Sequence, residues 1–182
     1  EIELVCRGRL VGGDDTYAVG SGEVLDASGT TIAVATIGAV FFPGESPIGA
    51  VREPPAHGPT KAGDVDELLG TRLVDRTEAT CTVRFTSSGS TTNLSGGVHG
   101  GMGVLMAERT IDRLLRSDDG EATHRLVAIR AAYPRGIVAD EAPIECVAET
   151  MHRGRRLALA RAVLCDQQGR PAVVVDASYV GV

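Results

Sequence analysis

The chain has 182 residues with 24 acidic and 18 basic side chains, a formal net charge of −6 and a pI near 5.2. That suits roughly one to one and a half domains and argues against nucleic acid as the main partner. No window approaches about 18 uncharged apolar residues, and no basic stretch followed by an apolar run opens the chain, so no membrane partner or leader is expected and the composition reads as cytoplasmic.

Residues 3–9, 16–25 and 31–42 are β-rich runs separated by Gly12-Gly13-Asp14-Asp15 and Asp26-Ala27-Ser28-Gly29, which predicts an antiparallel meander. Three strands alone leave an apolar face uncovered. Residues 43–63 carry Pro43, Pro47, Pro54, Pro55 and Pro59 among glycines and mixed charges, the pattern of a surface linker. Asp64 with Glu67 three residues on reads as a capping box for a short helix through Leu69. One strand is expected over residues 77–86, and a polar run, 87–92, follows it.

The stretch from Asn93 to Arg116 carries the chemistry. Asn93, Gly96, Gly97, His99, Gly100 and Gly101 are polar or conformationally free, and an apolar period begins only at Val104, so a loop is expected to pass into a helix over residues 101–116. The first amides of a helix lack intrahelical partners and sit at the positive end of its dipole. Gly100 and Gly101 would therefore offer donors to a developing oxyanion. Glu108 falls within the stripe of Val104, Ile111 and Leu115, with no cation at its i±3 or i±4 positions. Such a carboxylate either has a task or lies at the stripe's edge and reaches solvent. His99 is open to two readings as well, a general base or a residue that shapes the loop.

After the helix, Ser117-Asp118-Asp119-Gly120 breaks the chain, and strands are expected over 126–133, 144–152, 156–165 and 172–180. Residues 143–182 repeat residues 3–42 at a constant offset, with Cys146 answering Cys6, Asp166 answering Asp26 and Gly169 answering Gly29. Two Val/Ala-rich meanders could share this by chance. If the repeat is genuine, residues 1–42 are the C-terminal strands of a first copy whose front lies outside the sequence, 43–63 link the copies, and 64–182 form the complete copy. Arg153, Arg155 and Arg156 crowd the tip of the last hairpin but one, where they either hold phosphates or decorate a solvated turn. His57, His124 and His152 have no constellation around them and read as surface residues. Cys6, Cys81, Cys146 and Cys165 form no C-x-x-C pair and have no histidine at ligand spacing; they read as reduced core thiols, and no metal site is expected.

Asn93, Gly96, His99, Gly100 and Gly101, followed on the helix by Glu108, make N-x-x-G-x-x-H-G-G plus an acidic residue. This pattern resembles the hotdog-fold acyl-CoA thioesterases of the phenylacetate-pathway type. The resemblance implies an α+β hotdog fold, an antiparallel sheet wrapped around a central helix, with one full copy and the C-terminal strands of another. It implies that Asn93 orients the water or the thioester, that the Gly100 amide polarises the thioester carbonyl with Gly101 beside it, that Glu108 is nucleophile or general base, and that His99 mostly shapes the loop. Glutamate stands where most similar members carry aspartate, as it does in the related hydroxybenzoyl-CoA branch. Leu126 stands where many carry a serine or threonine, about seven residues before Tyr133, and Thr123 is the nearest hydroxyl.

The implied substrate is an acyl-CoA or acyl-carrier thioester, with Arg153, Arg155 and Arg156 as candidates for the phosphates of coenzyme A, and no cofactor is implied. The implied partner is a second hotdog unit, in a homo-oligomer or an intrachain pseudo-dimer, because the loop of one unit faces the helix carboxylate of the next. The alternative is a non-catalytic acyl-binding or assembly domain. A hydratase of the same fold ranks behind both, since its aspartate–histidine loop pattern is not found, and G-x-S-x-G does not occur.

Overall fold

Turn carboxylates and β-rich runs build the first of two units into which the chain divides, Glu1–Pro47 and Ile48–Val182. The structure, a computed structural model, describes residues 3–41, 64–88, 91–93, 96–117, 119–140 and 142–182. The expected linker over 43–63 and His57 lie outside the described residues. In the first unit, β1 (Leu4–Gly13), β2 (Tyr17–Asp26) and β3 (Thr31–Val40) form an antiparallel sheet in that order. The first turn comes later than expected, because β1 continues through Gly12 and Gly13. A carboxylate makes it instead: Asp14 Oδ1 accepts from the Thr16 amide at 2.7 Å and the Thr16 hydroxyl at 2.6 Å. Asp26 closes the second turn in the same way, accepting from the amides of Ser28 at 2.9 Å and Thr30 at 3.0 Å, with Gly29 at φ 83°. Among the described residues this unit has no helix, and β1 and β3 are exposed along their whole length. Cys6 is exposed with them, so it is not the core thiol expected from its sequence.

The second unit contains α1 (Val65–Leu68), β4 (Arg72–Arg76), β5 (Thr80–Thr86), α2 (Gly100–Leu115), β6 (His124–Ala132), β7 (Pro143–Arg153), β8 (Leu157–Cys165) and β9 (Pro171–Gly181). Its antiparallel sheet has the order β4-β5-β7-β8-β9-β6. The single strand expected over 77–86 is instead the second arm of a hairpin. Thr77-Glu78-Ala79 carries no Gly, Pro, Asn or Asp, and the turn rests on Thr77 Oγ1, which accepts from the amides of Ala79 at 3.2 Å and Thr80 at 2.9 Å. Asp64 caps α1 as expected, but through the amide of Asp66 at 3.2 Å, two residues on.

Across this sheet lies α2. Its buried face is Gly103, Met106, Ala107, Thr110, Ile111, Leu114 and Leu115, packed on alternate residues of β5, β7, β8 and β9 such as Phe85, Cys146, Ala160 and Val175. Small inner residues, Ala148, Ala158, Ala160, Ala162 and Ala177, let the helix sit close. Gly103 allows the tightest approach, since a Cβ there would stand 3.1 Å from Val173 Cγ2. The stripe is therefore centred on Met106, Thr110 and Leu114 rather than on Val104, which is only half-buried. One flank of α2 is clasped to α1: Asp66 accepts from Arg109 Nη2 at 3.2 Å and from Arg113 Nη2 at 2.7 Å. Glu108 occupies the other flank.

Residues 3–42 and 143–182, which correspond in sequence at a constant offset, also correspond in hydrogen-bond register. Cys6 faces Val24 as Cys146 faces Leu164, and Gly20 faces Ile37 as Ala160 faces Ala177. The irregularity between Leu10 and Gly12 recurs between Thr150 and His152, and that between Val24 and Leu25 recurs between Leu164 and Cys165. Asp166 closes its turn through the amides of Gln168 and Arg170 as Asp26 does. Among the described residues no helix is long and apolar enough to cross a membrane.

Candidate active site

The loop before α2 is built by its own backbone. Asn93 and Gly97 pair through Asn93 N–H to Gly97 O at 2.8 Å, the Gly96 amide donates back to Asn93 O at 3.1 Å, and Gly96 takes a φ of 78° that only glycine adopts without strain. Asn93 Oδ1 accepts from the Gly97 amide at 3.0 Å, so the side-chain carbonyl of Asn93 holds the loop in shape. The segment after β6 braces the other side, with Val98 N–H donating to Ile137 O at 2.8 Å and Ala139 N–H to Gly96 O at 3.1 Å.

His99 is the N-cap of α2. Its Nδ1 accepts from the Gly101 amide at 3.1 Å and its backbone carbonyl accepts from Gly103 at 3.0 Å. An amide donor on Nδ1 leaves Nε2 to carry the proton of the neutral ring. Gly101, expected to offer an oxyanion donor, has its amide committed to this cap. The amides of Gly100 and Met102 have no acceptor among the described residues, and they are the donors the helix end retains. Tyr133 lies over Gly100, with its hydroxyl donating to Gly100 O at 3.4 Å, and a Cβ at Gly100 would stand 3.3 Å from the tyrosine ring. Burial pushes the Tyr133 hydroxyl's pKa up. A cavity of about 190 Å³ opens here, lined by His99, Gly100, Gly103, Tyr133, Ile137 and Val173 among others. That is smaller than the roughly 300–1,000 Å³ of usual small-molecule pockets.

Glu108 sits two turns further along α2, half-buried, with no hydrogen bond or ion pair among the described residues. The neighbouring carboxylates differ: Asp112 accepts from Arg116 at 2.8 Å and Asp66 takes Arg109 and Arg113. Burial, and then the charge of Asp112, push the Glu108 carboxyl above the ordinary glutamate range, against the weaker pull of Arg109 and Arg116. Tyr179 on β9, almost fully buried, has a hydroxyl without a partner among the described residues. Its pKa is raised by burial first and then by the charges of Glu108 and Asp112.

The structure does not bring all the expected residues together. Gly100 and Glu108 are eight residues apart on one helix, about 12 Å along its axis at 1.5 Å per residue. Arg153 lies at the opposite end of α2 from His99, donating to Leu115 O at 2.9 Å. Thr123 is at that same end, its hydroxyl donating to Leu115 O at 2.6 Å, so it does not replace the hydroxyl missing at Leu126. Leu126 is half-buried against the core and faces Tyr179 across the β6–β9 ladder. His124, expected at the surface, is half-buried, and its ring bridges Thr123 Oγ1 at 2.8 Å and Gly154 O at 2.9 Å. Sequence reasoning passed over Tyr179 as a neighbour of Glu108 and over the covering role of Tyr133. The only local signal was Tyr133-Pro134-Arg135-Gly136, a turn sequence carrying an aromatic directly after a strand.

No family model matches the sequence and no curated protein matches it significantly. Solved structures do match. The chain is 15% identical to a thioesterase from Haemophilus influenzae, with a TM-score of 0.59 over 66% of this chain and 84% of that one. It is 18% identical to a variant of the phenylacetic acid degradation protein PaaI from Thermus thermophilus, with a TM-score of 0.57 over 64% and 97%. Against a thioesterase variant from Pseudomonas aeruginosa the identity is 21% and the TM-score 0.56, over 65% and 85%. Likeness at these identities establishes architecture: the chain has the α+β hotdog fold, an antiparallel sheet wrapped on a central helix.

Proposed function

We propose that this protein is an acyl-CoA thioesterase, hydrolysing a thioester to a carboxylic acid and free coenzyme A, in which Glu108 is base or nucleophile. The observation that carries this reading is Glu108 itself, a half-buried carboxylate with a raised pKa and no cation bound to it, on a helix whose one other carboxylate, Asp112, is ion-paired with Arg109 and Arg116. With Glu108 as base, it takes a proton from a water that attacks the thioester carbonyl carbon. The oxyanion accepts from the Gly100 amide, the C–S bond breaks, and the leaving thiolate recovers a proton. Asn93 and His99 hold the loop that aims that amide. The 12 Å between Gly100 and Glu108 supports a site shared by two hotdog units, each giving its loop to the other's carboxylate. Either a second chain or a paired copy within the chain supplies the partner.

The matched registers of β1–β3 and β7–β9 support the domain reading: residues 1–42 as the C-terminal strands of one hotdog, 43–63 as linker, 64–182 as a complete hotdog. Free, unpaired cysteines favour a reducing, cytoplasmic setting. Leu126 and the committed Gly101 amide favour a second reading, a non-catalytic acyl-binding domain. One experiment separates the two. Hydrolysis is assayed over short, medium, long and aromatic acyl-CoAs, and the Glu108→Gln protein should lose at least about a hundredfold in rate while remaining folded. Thioester binding without turnover by the unaltered chain, or a folded Glu108→Gln protein within a few-fold of it, would sink the catalytic assignment.

A further inference from the structure

Three guanidinium groups from three elements meet where α2 ends. Arg153, closing β7, donates to Leu115 O at 2.9 Å; Arg76, closing β4, donates to Arg116 O; and Arg116 donates to Gly120 O at 2.8 Å and to Asp112 at 2.8 Å. They surround an open cavity of about 820 Å³ lined by Arg76, Thr77, Glu78, Arg116, Ser117 and Arg153. Each guanidinium has five N–H donors in a rigid fork, and the carbonyl contacts of Arg76 and Arg153 each use one nitrogen. Those contacts fix the guanidiniums in place, and their other nitrogens have no hydrogen-bond partner among the described residues. The hydroxyls are otherwise engaged: Thr77 with Thr80 and Ser117 with Asp119 and Glu121 O. Asp112 neutralises Arg116, and among the described lining residues Glu78 is the only carboxylate, so the charge of Arg76 and Arg153 outweighs it there. This is a local cationic site on a protein of net charge −6.

We propose that this cavity binds the phosphate groups of the coenzyme A moiety of the substrate. The proposal rests on the thioesterase reading and adds to it where the nucleotide end lies. Arg116 is eight residues beyond Glu108, about 12 Å along the axis, whereas the N-terminus of the same helix is about 24 Å away. The phosphates are therefore held by the unit that supplies the carboxylate, with the pantetheine arm running along α2 from the thioester towards its C-terminus. The hairpin arginines enter in a different combination from that expected from sequence. Arg153 lines the cavity and Arg155 and Arg156 do not, while Arg76 and Arg116 join it from elements far away in the chain. The corresponding position in the first repeat is Gly13, so that repeat offers no such fork.

The test uses adenosine 3′,5′-bisphosphate, which carries phosphates of the same kind and no thioester, titrated calorimetrically into the full chain. Saturable binding that weakens with salt is expected, falling at least about tenfold in Arg76→Gln and in Arg153→Gln. Glu78→Gln should bind more tightly. Arg76→Lys and Arg153→Lys keep a donor for the helix carbonyls and so guard against loss of folding; they should fall between the unaltered chain and the Gln variants. In kinetics, the preference for acyl-CoA over the matching N-acetylcysteamine thioester should fall by about tenfold in the same variants, through KM. No saturable binding, or binding indifferent to both arginines, overturns the proposal. Bisphosphate binding with this pattern in a protein that hydrolyses no acyl-CoA leaves the phosphate site standing and removes the thioesterase reading. Hydrolysis of acyl-CoA without bisphosphate binding does the reverse.

Discussion

His99 turns its Nδ1 onto the amide of Gly101 at 3.1 Å and thereby caps the helix that carries Glu108. The ring nitrogen does the work usually given to a serine or aspartate oxygen. His99→Ala should cost about 1 kcal/mol of stability, the usual value of an N-cap, and His99→Asn should restore most of it. Chemical denaturation measures both. Hydrolysis should follow stability, lost in Ala and largely rescued in Asn; an Asn variant as stable as the unaltered chain but about a hundredfold slower would make His99 the base instead.

The pH dependence of Glu108 has a definite sign. Burial favours its neutral form, so its contribution to stability is full below the ordinary glutamate value of 4.5 and is lost as pH rises through the raised folded value. Glu108→Gln, which cannot ionise, should melt higher than the unaltered chain at neutral pH and no higher in acid. Activity runs the opposite way, because a base must be deprotonated. The acid limb of the rate should have its midpoint above the ordinary glutamate range, and a limb at or below that range would remove Glu108 from the mechanism.

Asp66 reports the opposite case. Burial would raise its carboxyl, but hydrogen bonds from Arg109 and Arg113 outweigh this and hold it below the ordinary aspartate value. Its stabilisation is present above that value and lost as pH falls through the lowered one. Asp66→Asn should cost about 2 kcal/mol at neutral pH, the worth of charge-assisted hydrogen bonds only partly open to solvent, and should cost less in acid at about pH 3. Equal costs at both pH values would show that packing of α1, and not its charge, holds α2.

If each site joins the loop of one unit to the carboxylate of another, mixing Glu108→Gln chains with Asn93→Ala chains should return activity. Each mixed dimer would hold one intact and one doubly damaged site. Activity per chain should rise severalfold above either variant alone. Co-assembled, folded mixtures that stay inactive at every ratio would argue for a site complete within one unit.

Much of this architecture was legible locally. The three strands before residue 42, the helix beginning at Gly100 and the last three strands follow from β-rich runs, turn carboxylates and an apolar period, all set by neighbours within a few residues. The correspondence between residues 3–42 and 143–182 was legible too, and Cys6 and Cys146, like Asp26 and Asp166, take matching places in the two sets of strands. The hairpin at Thr77 was not, because a threonine hydroxyl makes that turn without a glycine or proline to mark it.

The loop and the acidic residue on the helix were determined by sequence alone, since a glycine-rich N-terminus and a helical spacing are local properties. The Gly101 amide is spent locally, on His99 two residues before it, whereas only the tertiary structure covers Gly100 with Tyr133, 33 residues on. It alone set Glu108 on the flank of α2, since the small residues of β7, β8 and β9 determine which face of the helix turns to the sheet. The gathering of Arg76, Arg116 and Arg153 was equally beyond the sequence. Three residues drawn from two strand ends and a helix end converge only when the carbonyls at the C-terminus of α2 need donors.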